Sequence, residues 1–171
     1  MSNRLQIVVI GGGENNEHDV SIASAAAICT ALNVNRFDVH GLTIEKDGSW
    51  AITDGAPVNG IGEAIDLLKS ADVVFPALHG ARGEDGTVAG FLDVIDVPYV
   101  GSGVRAGALA MDKWTTKLIA RDLGIATAPA TRVTAKDDPI GGSRVGYPLI
   151  VKPVSSGSSF GVSRVTHAGE I

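Results

Sequence analysis

The sequence predicts an α/β protein whose parallel sheet is covered by helices on both faces. Short β-branched apolar runs alternate with helix-length segments along the earlier part of the chain. Glycines gather beside these runs: 22 of the 171 residues are glycine, about 13%, against a typical share of about 7%. Hydrophobic residues at 44% and charged residues at 19% supply a core and carry no bias toward disorder.

Residues 5–10 read as a buried strand, a nearly unbroken apolar run that ends at Gly11-Gly12-Gly13. An alanine-rich helix is expected over 20–32, with capping candidates just ahead of it. Residues 37–44 form a second strand, Lys46-Asp47-Gly48 a turn, and 50–53 a short return strand. A helix over 62–70 carries Ile65 and Leu68 at i and i+3, and 71–78 is a further buried strand running into His79-Gly80. Beyond it, 87–95 is helical, 98–100 a short strand, and 105–122 contains another helix. A loop with Pro and Gly follows over 137–146. Two strands at 148–151 and 161–165 then flank a glycine-serine loop and can pair antiparallel. The chain changes character near residue 105, from an α/β unit to a helix and a hairpin. A lone hairpin is marginal in water and its free edge invites pairing, so the second unit reads as unfinished.

Acids outnumber bases 19 to 14, for a net charge of −5 and a pI near 5.2. That speaks against a nucleic-acid binder, whose affinity rests on a basic face. The single cysteine, Cys29, cannot form an internal disulfide and reads as a small apolar core residue, so nothing points to an oxidising compartment. The apolar run at 5–10 is too short for a signal-peptide core or a membrane span. A cytoplasmic protein with no nucleic-acid or membrane partner is the expectation.

The segment GGGENNEHDVS, 11–21, follows a strand and precedes a helix. A G-x-G-x-x-G fingerprint would need glycine where Asn16 stands, which speaks against a dinucleotide site. Backbone amides at such a turn can instead receive an anion. Glu17 and His18 read as lying at the mouth, where a carboxylate could hold a substrate ammonium; alternatively Glu17 and Asp19 only complement the helix dipole. HGARGEDG, 79–86, follows another buried strand at its expected C-terminal end, where ligands of open α/β sheets bind. His79 could donate to a carboxylate or phosphate oxygen, or be satisfied by backbone; Glu84 and Asp85 read as caps for the next helix. Lys113, within a helix, reads by itself as a solvated charge, and no G-x-x-x-x-G-K-[ST] pattern is present. In YPLIVKPVSSGSSFGV, 147–162, Lys152 stands at a strand end before four serines and two glycines. Amides and hydroxyls of such a loop can form a nest around a phosphate, with Lys152 as a point charge; the plain alternative is a flexible hairpin tip.

Together GGGENNEHDVS, ALHGARGEDGTVAGFLDVIDVPYVGSG, ALAMDK and YPLIVKPVSSGSSFGV, in this order and spacing across 7–165, resemble the D-alanine–D-alanine ligase family of ATP-grasp enzymes. The resemblance implies a Rossmann-like parallel-sheet (pre-ATP-grasp) domain over 1–105, followed by the beginning of an ATP-grasp domain over 106–171. It implies ATP-dependent ligation of two D-alanines to D-alanyl-D-alanine for peptidoglycan, through an acyl phosphate that the second amine attacks. By resemblance, Glu17 meets the ammonium of the first D-alanine and His79 lines that subsite. Lys113 and Lys152 contact the ATP phosphates, and Gly157, Ser158 and Ser159 close over them. Glu17 and Ser158 are the implied catalytic residues, Ser158 orienting the substrate side through Glu17. ATP and Mg2+ are the implied cofactors, D-alanine the substrate, and a homodimer the implied assembly. The residue types suit the chemistry, since activation of a carboxyl by phosphoryl transfer relies on positioned cations and amides.

Two departures from the family pattern stand out. Asn15-Asn16 precede Glu17 where many members carry a serine and a small or acidic residue. The family's magnesium-binding acids and asparagine, its adenine-contacting acids and an oxyanion arginine lie further along than this chain reaches, and Glu170 is the one acid after Lys152. No metal ligand is therefore expected here, and the chain is expected to be the amino-terminal half of a ligase. A depsipeptide ligase joining D-alanine to D-lactate is one alternative, and a non-catalytic small-molecule-binding module is another.

Overall fold

The computed structural model describes residues 4–53, 56–134, 136 and 145–170. The chain divides into two compact units, Met1–Ala108 and Leu109–Ile171.

The first unit is built on a four-stranded sheet in the order β3-β2-β1-β4. β1 (Leu5–Gly12) is central; it pairs in parallel with β2 (Phe37–Ile44) on one side and β4 (Val73–Pro76) on the other. β3 (Trp50–Ile52) returns antiparallel along β2, after the Lys46-Asp47-Gly48 turn. Three helices complete most of the layers: α1 (His18–Ala31), α2 (Gly60–Lys69) and α3 (Thr87–Val94). Successive residues of a strand point to opposite faces, and β1 shows this directly. Val8 and Ile10 pack with Leu42, Leu68, Val74 and Leu92, on the side of α2 and α3. Ile7 and Val9 pack on the other side against Ala25, Ile28 and Cys29 of α1. Helices thus cover both faces, as the alternating pattern predicts. α1 can approach β1 this closely because Gly11 has no side chain; a Cβ there would stand 2.7 Å from that of Ala25. Burial of Cys29 in this layer pushes its thiol pKa up.

Several boundaries differ from the expectation. α1 starts at His18 rather than at 20, because Glu17 takes the N-cap position. The stretch at 98–100 makes a single parallel bridge, Val74 to Tyr99, instead of a strand. Pro98 has no N–H to extend the ladder, although its carbonyl accepts from Val74 N at 2.8 Å. The helix expected within 105–122 is two: α4 (Val104–Met111) and α5 (Lys113–Asp122). Asp112 separates them, extended at φ −80° and ψ 104°, and its side chain accepts from Thr115 N at 2.7 Å. That is an N-cap, the role for which Asp is favoured. The unit division falls inside α4.

In the second unit β5 (Leu149–Val151) and β6 (Ser163–Val165) form the expected antiparallel pair, and a short 3-10 turn spans Ala168–Glu170. The loop read over 137–146 lies largely outside the described residues. Among the described residues of this unit, Val165 is the one buried side chain.

Candidate functional site

In an open α/β sheet the crevice for ligands opens beyond the carboxyl ends of two neighbouring strands whose connections run to opposite sides. Here those strands are β1 and β4: β1 leads into α1 on one face, and β4 leads through the 79–86 loop into α3 on the opposite face. The two loops that leave this edge carry Glu17 and His79.

Glu17 ends the first loop. Its main-chain carbonyl accepts from Ser21 N at 2.9 Å and so starts α1, while its carboxylate makes no capping bond. The carboxylate turns instead toward Gly80 of the second loop, where a Cβ would collide with Oε2. Gly80 also has φ +72°, so two separate constraints call for glycine. The structure therefore brings Glu17 and the His79-Gly80 segment together. His79 is half-buried, with its ring Nε2 2.8 Å from Ser24 Oγ on α1. His18 does not lie at the mouth: it is buried, with Nδ1 2.9 Å from the Gly13 carbonyl. Its part is to satisfy a main-chain oxygen of the first loop.

The 79–86 loop is held by its own acids. Glu84 does not cap α3; its Oε2 accepts from Gly80 N at 2.7 Å and closes the turn. Asp85 accepts from Thr87 N at 3.0 Å and from Arg82 N at 2.9 Å. Partial burial works to raise the Asp85 pKa, but these bonds outweigh it and hold the carboxyl below the usual range. Arg82, at φ +66°, forms an ion pair with Glu14 that ties this loop to the first. A cavity of about 260 Å³ opens beside them, lined by Glu14, Asn15, Trp50, Arg82 and Phe91 among others; neither Glu17 nor His79 lines it.

In the second unit Lys113 is the first residue of α5. Its amide donates to the Val154 carbonyl at 3.0 Å, and its ammonium to the carbonyls of Val154, at 3.5 Å, and Ser156. The lysine is thus fastened to the glycine-serine loop, a contact that the reading of a solvated charge did not foresee. Lys152 is exposed just after β5. Ser158 and Ser159 both adopt positive φ, 44° and 59°, and Phe160 N returns to the Gly157 carbonyl at 3.0 Å. Among the described residues no group of three or more His, Cys, Asp or Glu side chains could hold a metal ion.

Sequence reasoning marked Asn15 as a departure beside the first subsite but not its bonds to the second loop, and it missed Ser24 and the Glu14–Arg82 pair. An Asn two residues before Glu17 is a local turn signal that was there to be read. The bonds across to the second loop depend on β1 and β4 being neighbours, which no local signal reveals.

The family models for the "D-ala D-ala ligase N-terminus" match residues 6–63 and 57–102, and the one for the "D-ala D-ala ligase C-terminus" matches 119–171. The D-alanine–D-alanine ligase of Mycolicibacterium gilvum is 38% identical over all of this chain, which covers 56% of that protein. A D-alanine–D-alanine ligase from Bacillus anthracis, solved in complex with ATP, superposes with a TM-score of 0.77 at 32% identity, over 97% of this chain and 52% of its own. The VanG D-Ala:D-Ser ligase of Enterococcus faecalis superposes with a TM-score of 0.78 at 28% identity, over 98% of this chain and 57% of its own. The chain spans about half the length of the relatives it matches. Its fold class is the α/β, ATP-grasp architecture of these ligases, with the parallel-sheet unit first. On the family models, which together cover most of its residues, the chain belongs to the D-Ala–D-Ala ligase family.

Proposed function

We propose that the protein serves the ATP-dependent joining of two D-alanines into D-alanyl-D-alanine for peptidoglycan, through an acyl phosphate. The observation that carries this reading is the Glu17 carboxylate lying against Gly80, beside His79, at the carboxyl edge of the sheet. A carboxylate there suits the ammonium of a first D-alanine, and an imidazole beside it suits the same amino acid's carboxylate. Lys113, Lys152 and the turn at Gly157, Ser158 and Ser159 form the proposed phosphate site, where cations and main-chain amides offset the charge of ATP. Glu17 and Ser158 are the proposed catalytic residues. Magnesium is expected to accompany the nucleotide.

Cytoplasmic location, a role in cell shape, a homodimer, and the absence of nucleic-acid and membrane partners belong to the same proposal. No helix among the described residues is long and apolar enough to cross a membrane. The likeness to a D-Ala:D-Ser ligase favours one further reading: the residues described serve the first D-alanine, and the second substrate can be D-alanine or another D-amino or hydroxy acid, D-lactate included. Calorimetric titration of the chain with D-alanine and L-alanine tests the proposal. Saturable binding of the D-isomer that is lost in Glu17→Gln is expected; equal binding of both isomers, or binding indifferent to Glu17→Gln, would overturn it.

A further inference from the structure

Asn15 joins the first loop to the second through two of its three side-chain hydrogen bonds. Asn15 Oδ1 accepts from Glu17 N at 2.8 Å, and its Nδ2 donates to the carbonyls of His79 and Ala81, both at 2.9 Å. Its own carbonyl accepts from His18 N at 3.2 Å, at the start of α1. Both amide protons and the amide oxygen are engaged, and the orientation is chemically forced. A reversed amide would set its oxygen against two carbonyls and its nitrogen against an N–H. The carbonyls that receive the protons flank Gly80, the residue against which the Glu17 carboxylate lies.

We infer that Asn15 is the positioning residue that sets Glu17 against His79. It does not touch substrate; it fixes the separation of the two groups that do, an inference that rests on the substrate site proposed above. Of the common side chains of this size, only the asparagine amide combines an acceptor with two donors. Asp keeps the shape and the acceptor but turns a second lone-pair oxygen toward two carbonyls, which pushes the loops apart. Ser keeps an acceptor and one donor.

The test uses isotope-labelled protein and the variants Asn15→Asp and Asn15→Ser. In Asn15→Asp the carbonyl 13C signals of His79 and Ala81 and the His79 ring signals should shift, while those of Val9 and Ile10 in the sheet stay in place. Affinity for D-alanine should fall tenfold or more, with ATP affinity unchanged, and Asn15→Ser should recover part of the loss. Unmoved His79 and Ala81 carbonyl signals in either variant would overturn the inference, as would D-alanine affinity equal to that of the parent. If Asn15→Asp fails to fold, Asn15→Ser alone decides by the same two readouts. A parent protein that does not bind D-alanine would instead overturn the substrate reading, and the carbonyl signals would then judge Asn15 by themselves.

Discussion

A single atom missing from one position, the Cβ of Gly80, shows how closely the loop residues are set. Gly80 supplies a positive φ and leaves space for the Glu17 carboxylate, so Gly80→Ala meets both constraints at once. The backbone strain should cost about 1–3 kcal/mol. The displaced carboxylate should abolish D-alanine binding, which calorimetry on the folded variant reads separately from stability. Ser21 is a different case. It is fully buried on α1, and its hydroxyl donates to the Ala77 carbonyl at 2.8 Å, pinning the helix to the chain just beyond β4. Ser21→Ala should destabilise the first unit by about 1–3 kcal/mol in urea unfolding, because the carbonyl is left buried without its donor. Ser24→Ala removes the hydroxyl beside His79 Nε2 and should move the His79 ring nitrogen signals without a comparable loss of stability. At this scale the sequence was legible in placing Glu17 and His79 on loops that follow buried strands. It was silent on Ser21 and Ser24, whose partners lie 56 and 55 residues away, and it noted Asn15 without its cross-loop partners.

The elements follow their local signals except where one residue acts against its neighbours. β2 and β3 lie where the β-branched runs and the Lys46-Asp47-Gly48 turn put them, since periodicity and turn chemistry agree there. The break at Asp112 was hidden because no Gly or Pro marks it; a capping aspartate inside a helix-forming stretch looks like any polar residue. That cap has a pH dependence. The bond from Thr115 N is the leading reason the Asp112 carboxyl sits below its usual range, with Arg132 adding to the effect. A carboxyl whose folded pKa is depressed stabilises above its unfolded value and loses that contribution as pH falls through the folded one. The start of α5 should therefore hold at neutral pH and loosen only below about pH 4, the unfolded value of Asp. The Thr115 amide signal, followed through an acid titration, checks this. In Asp112→Asn the amide should keep its position and lose its titration.

Over the whole molecule the apolar burial is unevenly shared. Val8, Val9, Ile10, Leu42, Leu68, Val74 and Leu92 of the first unit are out of solvent, whereas Leu118, Ile119, Leu123, Ile150 and Phe160 of the second are exposed. Leu68→Ala should accordingly cost about 2–5 kcal/mol, as truncations in well-packed cores do, and Leu123→Ala close to nothing. Chemical unfolding of the two variants tests the contrast; similar losses would contradict it. A helix followed by a lone hairpin had already marked the second unit as unfinished. The edge of the sheet where the two loops meet has one more consequence. Its polar network hangs on carbonyls and amides of loops, while the strands beneath are occupied with holding helices on both faces. Substitutions at 13–17 and 79–86 can therefore change what is grasped while the scaffold keeps its shape. A laboratory selection for a new amino-acid preference would find most of its room to move in those two short stretches.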